Sequence, residues 1–110
     1  MNYSLHMVDV VRSATFDQWL RKLRDRHAVA RVLVRIDRLA ADNPGDAKSI
    51  GGGVFELRIN YGPGYRVYFL RDGDHLVVLL AGGDKSSQRA DITTARAIAE
   101  AWRGERGGSL

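Results

Sequence analysis

The run "LVVLLA", Leu76 to Ala81, is apolar at every position. Side chains of a strand point alternately to its two faces, so a strand with no polar side has to be covered on both. Six residues fall far short of a membrane span. The run is therefore expected to be a central strand of a sheet on which helices pack. Its neighbours agree. Val54 to Tyr61 and Tyr65 to Arg71 alternate apolar and polar residues about the turn "NYGPGY", and "RDGD" then carries the Asp-Gly signal of a second hairpin.

Helices are expected on either side of this block. "VDVVR", Val8 to Arg12, reads as a short strand, followed by a helix that a Thr15–Gln18 capping box would start and that would end near Arg24. Its apolar positions are Phe16, Trp19, Leu20 and Leu23. Asp25 is placed to cap a second helix with Val29, Val32, Leu33, Ile36, Leu39 and Ala40 on one face, stopped by "DNPGD" at 42–46. A last helix spans about Arg89 to Trp102, with Ile92, Ala95, Ile98, Ala99 and Trp102 inward. The order β-α-α-β-β-β-α predicts an α+β fold: an antiparallel sheet with an N-terminal helical hairpin and a C-terminal helix. The chain has 110 residues, enough for one core. The expected domain is 1–103, with 1–6 a loosely ordered leader and 104–110 a disordered tail.

Composition narrows the function classes. There is no cysteine, which excludes disulfides and thiolate metal sites. His6, His27 and His75 lack ligand spacing, so no metal and no cofactor are expected. No secretory signal is evident in "MNYSLHM", and a cytoplasmic protein without membrane attachment fits. The net charge of +4 suits an anionic partner, and 14 of the 17 cations are Arg, whose planar fork matches phosphate and carboxylate.

The polar side of the hairpin is unusual. With Phe55, Leu57, Ile59, Val67 and Phe69 turned to the core, Glu56, Arg58, Arg66 and Tyr68 share the other face. Arg58 and Arg66 should then lie close together, and two adjacent cations need an anion between them. Glu56 is one candidate and a bound phosphate another. The plain alternative is a cross-strand ion pair on a solvated face, worth roughly 0.2–1 kcal/mol. Past the last strand, "GGDKSSQ" supplies Lys85 and the free N–H groups of a helix start beside Ser86 and Gln88, with two glycines able to admit a ligand close to backbone. A turn into an N-cap explains the serines equally well. Arg31, Arg35 and Arg38 form a row on the second helix, either a solvated face or a surface for an anionic partner.

"FELRINYGPGYRVYF" and "VVLLAGGDKSSQRADITTARAIAEAW", together with "NPGDAKSIGGGVFELRI", resemble the RelE/ParE toxin superfamily. The resemblance is nearest to the HigB-like branch, the addiction-module killer proteins, and extends over about Val8 to Trp102. It implies the toxin of a type II toxin–antitoxin pair and a metal-independent endoribonuclease that cuts mRNA in the ribosomal A site. It also implies a cognate antitoxin, expected to be a small DNA-binding protein encoded alongside. Carried over by position, Arg58 and Arg66 match the strand cations, Lys85 the basic residue after the last strand, Glu56 the carboxylate ahead of the first arginine, and Tyr68 an aromatic position. On that basis Glu56, Arg58, Arg66 and Lys85 are the expected catalytic set, with Glu56 as base. Tyr68, Arg31, Arg35, Arg38, Ser86 and Gln88 are the expected RNA contacts. The chain lacks the C-terminal tyrosine or His–Tyr pair and the strand lysines of some superfamily ribonucleases. ParE-like relatives inhibit DNA gyrase instead, and a non-catalytic module docking an acidic partner is a third reading.

Overall fold

The computed structural model describes residues 7–108; the expected leader at 1–6 lies outside them. β1 (Asp9–Arg12) leads into α1 (Ala14–Lys22) and α2 (Arg26–Ala40). Then come β2 (Ala47–Gly51), β3 (Val54–Ile59), β4 (Tyr65–Asp72), β5 (Leu76–Asp84), a 3₁₀ turn at Lys85–Ser87, and α3 (Gln88–Gly108). The fold is α+β, but the sheet has five strands in the order β1-β5-β4-β3-β2 and is mixed. Two expectations are corrected here. A strand unforeseen in the sequence, β2, pairs antiparallel with β3, and β1 pairs parallel with β5. The three reversals from β2 to β5 bring β5 back beside β1 pointing the same way.

β2 was hidden by its punctuation. It is an edge strand of five residues between "NPGD" and "GGG", and those glycines turn the chain with φ of 93°, 66° and 79° at Gly51, Gly52 and Gly53. Only glycine adopts three such values in succession at little cost. From α3, Arg96 donates to the Ile50 carbonyl at 2.6 Å and Arg103 to that of Gly52, so the hairpin tip is held from outside.

Helices cover both faces of the sheet, as the all-apolar strand requires. On one face, Phe16 and Leu20 of α1 and Val32, Ile36 and Leu39 of α2 pack on Leu57, Ile59, Val67, Phe69, Val77 and Leu79. On the other, Ala95 and Ala99 of α3 pack with Val54, Tyr68, Leu70, Val78, Leu80 and Ala81. A bulge where Tyr68 faces Ala81 and Phe69 faces Leu79 accounts for Leu80 and Ala81 lying on the same side.

Helix starts were legible to differing degrees. Asp25 caps α2 as expected, accepting from the N–H groups of His27 and Ala28. The cap of α1 is Ser13, not Thr15: its Oγ accepts from the Phe16 N–H at 3.0 Å and donates to the Leu80 carbonyl at 2.7 Å. Ser13 thereby ties the helix to β5, a bond across 67 residues that no local pattern announces. α3 continues past Trp102 to Gly108, over most of the segment expected as a tail.

The glycine pair in β5 is explained by packing. A Cβ on Gly82 would lie 2.2 Å from a Trp19 ring carbon, and one on Gly83 would lie 1.7 Å from a carboxylate oxygen of Asp91. Both positions admit side chains of the same chain, one on each face of the sheet, rather than a ligand. Gly82→Ala is expected to lower stability by about 1–3 kcal/mol, the usual cost of overpacking, with part of the loss recovered when Trp19→Leu is added. Chemical denaturation of the three variants measures both effects.

Candidate functional site

The hairpin face that carries Glu56, Arg58, Arg66 and Tyr68 changes character along its length. Val54, Leu70 and Tyr68 lie under α3. Beyond the edge of that helix, at the Arg58–Arg66 end, the face opens. The register places Arg58 directly opposite Arg66 and Glu56 opposite Tyr68, as the alternation requires.

Under the helix, Glu56 is 3% exposed and Tyr68 fully buried. The Tyr68 hydroxyl donates to Glu56 Oε2 at 3.2 Å, and Gln88 Nε2 donates to the same oxygen at 2.6 Å. Glu56 Oε1 stands 3.9 Å from Arg66 Nε. A buried carboxylate is tolerated when donors and a counter-charge surround it in this way. Burial, the carboxylate of Glu56 and the hydrogen bond to it together push the Tyr68 hydroxyl well above its ordinary pKa.

These contacts revise three expected roles. Tyr68 cannot stack on a base, because its ring is sealed beneath α3. Gln88 is turned inward to Glu56 and not toward a ligand. Glu56, with both oxygens engaged under the helix, is placed to hold Arg66 and not to reach a substrate hydroxyl.

Outside the helix edge, Arg58, Arg66 and Lys85 come together around one open pocket of about 280 Å³, whose wall is completed by Asp46, Ile59, Asn60 and Gly64. Gly64, at φ 80°, turns the β3–β4 connection so that it passes against Lys85 and Arg66; a Cβ there would be 3.6 Å from Lys85 Cβ and 3.8 Å from Arg66 Nη1. Arg58 Nε is 3.6 Å from Asp46 Oδ1. The Nε atoms of Arg58 and Arg66 are buried and have no hydrogen-bond partner among the described residues. Ser86 does not line this pocket. Its N–H and hydroxyl both turn to Asp84 Oδ1, at 2.8 and 2.5 Å, so the expected anion site at the turn is filled by the chain's own cap.

The arginine row of α2 divides. Arg35 is half-buried and donates to the carbonyls of Arg58 (2.6 Å), Pro44 (3.0 Å) and Asp46 (3.2 Å), which ties the 44–46 loop to β3. Desolvation lowers its pKa, though the guanidinium remains charged. It therefore acts as a structural staple, though it also forms part of the wall of an open groove beside α2. Arg31 and Arg38 are exposed. Arg31 lies over the Tyr61 ring at 4.5 Å, and the Tyr61 hydroxyl donates to Asp25 Oδ2 at 3.0 Å. With His27, Val34, Ile59 and Asn60 these two arginines line a groove of about 420 Å³. Ile59 and Asn60 belong to both the groove and the pocket, so the two adjoin.

Sequence reasoning missed Asp46. It lay in a segment read as a helix stop, and its approach to Arg58 depends on β2, which was itself unforeseen. Among the described residues no cluster of three or more His, Asp or Glu side chains is placed to hold a metal.

Residues 18–103 match the family described as phage-derived protein Gp49-like (DUF891). The chain belongs to the Gp49-like family. All four residues that bring charge to the pocket, Asp46, Arg58, Arg66 and Lys85, fall within the matched segment. A protein of Haemophilus influenzae described only as uncharacterized is 47% identical over 93 residues, covering 84% of this Gp49-like chain and 94% of that relative. The toxin–antitoxin complex RelBE2 of Mycobacterium tuberculosis is 24% identical, covers 72% of this chain and 99% of the matched one, and superposes with a TM-score of 0.49.

The buried carboxylate sets a dependence on pH. Because the native pKa of Tyr68 is raised, the folded state holds that proton more tightly than the unfolded chain does. Its contribution to stability is complete below the ordinary tyrosine pKa, about 10, and is lost as pH rises through the native value. Tyr68→Phe should flatten the fall in stability above about pH 10, measured as unfolding midpoints of both proteins across that range.

Proposed function

We propose that this Gp49-like protein is the toxin of a type II toxin–antitoxin module and that it acts on RNA as an endoribonuclease on the ribosome. The observation that carries the reading is the convergence of Arg58, Arg66 and Lys85 on one open pocket, where two guanidinium Nε atoms have only long ion-pair contacts and no hydrogen bond among the described residues. The three cations outnumber the two carboxylates that face them, Asp46 and Glu56, so the pocket keeps a net positive charge. A phosphodiester balances that charge and accepts from guanidinium forks in fixed geometry. The motifs that resemble the RelE/ParE superfamily run through the same three residues.

The chemistry such a site supports is internal transesterification, in which RNA contributes its own 2′-hydroxyl nucleophile. Arg58 and Arg66 flank the scissile phosphate and stabilise the charge that grows on its oxygens in the pentacoordinate state. Cations held rigidly in place before the reaction do this without reorganising. Glu56, anchored by Tyr68 and Gln88, fixes Arg66 from behind. Lys85, exposed at the rim, is placed to protonate the departing 5′-oxygen. The adjoining groove gives the strand a path along α2, where Arg31 and Arg38 meet neighbouring phosphates of mRNA or ribosomal RNA.

A cytoplasmic setting and an acidic antitoxin segment that covers the basic face follow from this reading. Gyrase inhibition is the competing reading, and RNA ends separate the two. Induction should give mRNA breaks phased to ribosomes, whereas a gyrase poison gives DNA damage without them.

Arg66→Ala is expected to slow mRNA cleavage by about 10²–10³-fold, as removal of one preorganised donor does elsewhere. It should also relieve growth arrest at matched expression; undiminished arrest would refute the role. Reversing Arg31 and Arg38 to Glu should weaken ribosome binding and reduce its salt dependence, since each phosphate contact contributes to the slope. Binding titrations at several salt concentrations read that change.

A further inference from the structure

Attack by the 2′-hydroxyl on the phosphate requires an acceptor for its proton. Four carboxylates surround the site. Glu56 is buried and accepts from Tyr68 and Gln88. Asp84 is taken up by the N–H and hydroxyl of Ser86. Asp91 accepts from the Ser87 hydroxyl on the α3 side of the sheet. Asp46 alone among them lines the pocket: its side chain is 60% exposed, and Oδ1 stands 3.6 Å from Arg58 Nε, beyond hydrogen-bond range.

The placement of Asp46 is built in and does not depend on its side chain. Its carbonyl accepts from the Arg58 N–H at 2.9 Å and from Arg35 at 3.2 Å. Arg35 at the same time holds the carbonyls of Pro44 and Arg58. The backbone is thus fixed from two sides, while the carboxylate is held only by its 3.6 Å ion pair with Arg58 and stays largely exposed at the pocket wall.

We propose that Asp46 is the general base of the site, a role that rests on the ribonuclease reading. Its carboxylate takes the proton from the 2′-hydroxyl as the O2′–P bond forms. The P–O5′ bond breaks, and the Lys85 ammonium gives its proton to the leaving 5′-oxygen. The products are a 2′,3′-cyclic phosphate and a 5′-hydroxyl. Water returns the two residues to their starting protonation, so no metal ion or redox partner enters the balance. General-base catalysis contributes about 10²–10⁴-fold.

The test is single-turnover cleavage of ribosome-bound mRNA by the full-length chain and its Asp46→Asn and Lys85→Ala variants. Asp46→Asn keeps the backbone bonds and should retain the wild-type unfolding temperature and ribosome affinity while cutting at least about 100-fold more slowly. Asp46→Glu should recover part of the rate. A substrate with sulfur in place of the 5′-bridging oxygen separates base from acid, because a thiolate leaves without a proton. It should restore the Lys85→Ala variant and leave Asp46→Asn slow. Wild-type cleavage by Asp46→Asn, or its rescue by the sulfur substrate, overturns the assignment while the ribonuclease reading stands. No cleavage by the wild type overturns both.

Discussion

The carboxylate of Glu56 is the interaction on which the arrangement depends. It sits at the boundary where α3 stops covering the sheet, with donors from β4 and α3 on one oxygen and an arginine near the other. Removing one partner from such a group leaves an uncompensated buried charge, which costs about 3–5 kcal/mol. The same atoms therefore join α3 to the sheet and fix one wall of the pocket. A change at this contact weakens the docking of α3 and disturbs the site geometry together, although apolar packing and Arg96 and Arg103 also hold the helix.

Much of the framework was legible because it obeys short-range rules. Alternation in β3 and β4 fixed which side chains share a face, and the register then set Arg58 against Arg66. Asp25 was found because a cap acts on neighbours two and three residues away. What stayed hidden depends on partners distant in sequence. Ser13 caps α1 while bonding Leu80, β1 finds β5, and β2 exists because β3 has a free edge to pair with.

Alternation in the sequence brings Arg58 and Arg66 together but does not show what covers Tyr68 and Gln88, for one reason. Alternation tells which face a residue occupies, but not how far along the strand a helix covers that face. Tyr68 and Arg66 are two residues apart on the same side of β4. One is sealed and the other lines a pocket, because α3 ends its coverage between them. Likewise, Arg31, Arg35 and Arg38 look alike as a row. Only the middle one lies above three carbonyls, and that distinction needs the 44–46 loop in place.

The grip of Arg35 has a consequence for how such a protein can change. It holds carbonyl oxygens, which every amino acid possesses, so the hold on position 46 does not depend on the side chain there, whereas Gly45, at φ 70° and against the Arg35 guanidinium, has to stay small. Position 46 behaves as an interchangeable tool bit in a fixed chuck. Substitution there alters the chemistry presented to the opening while the surrounding architecture stays as it is.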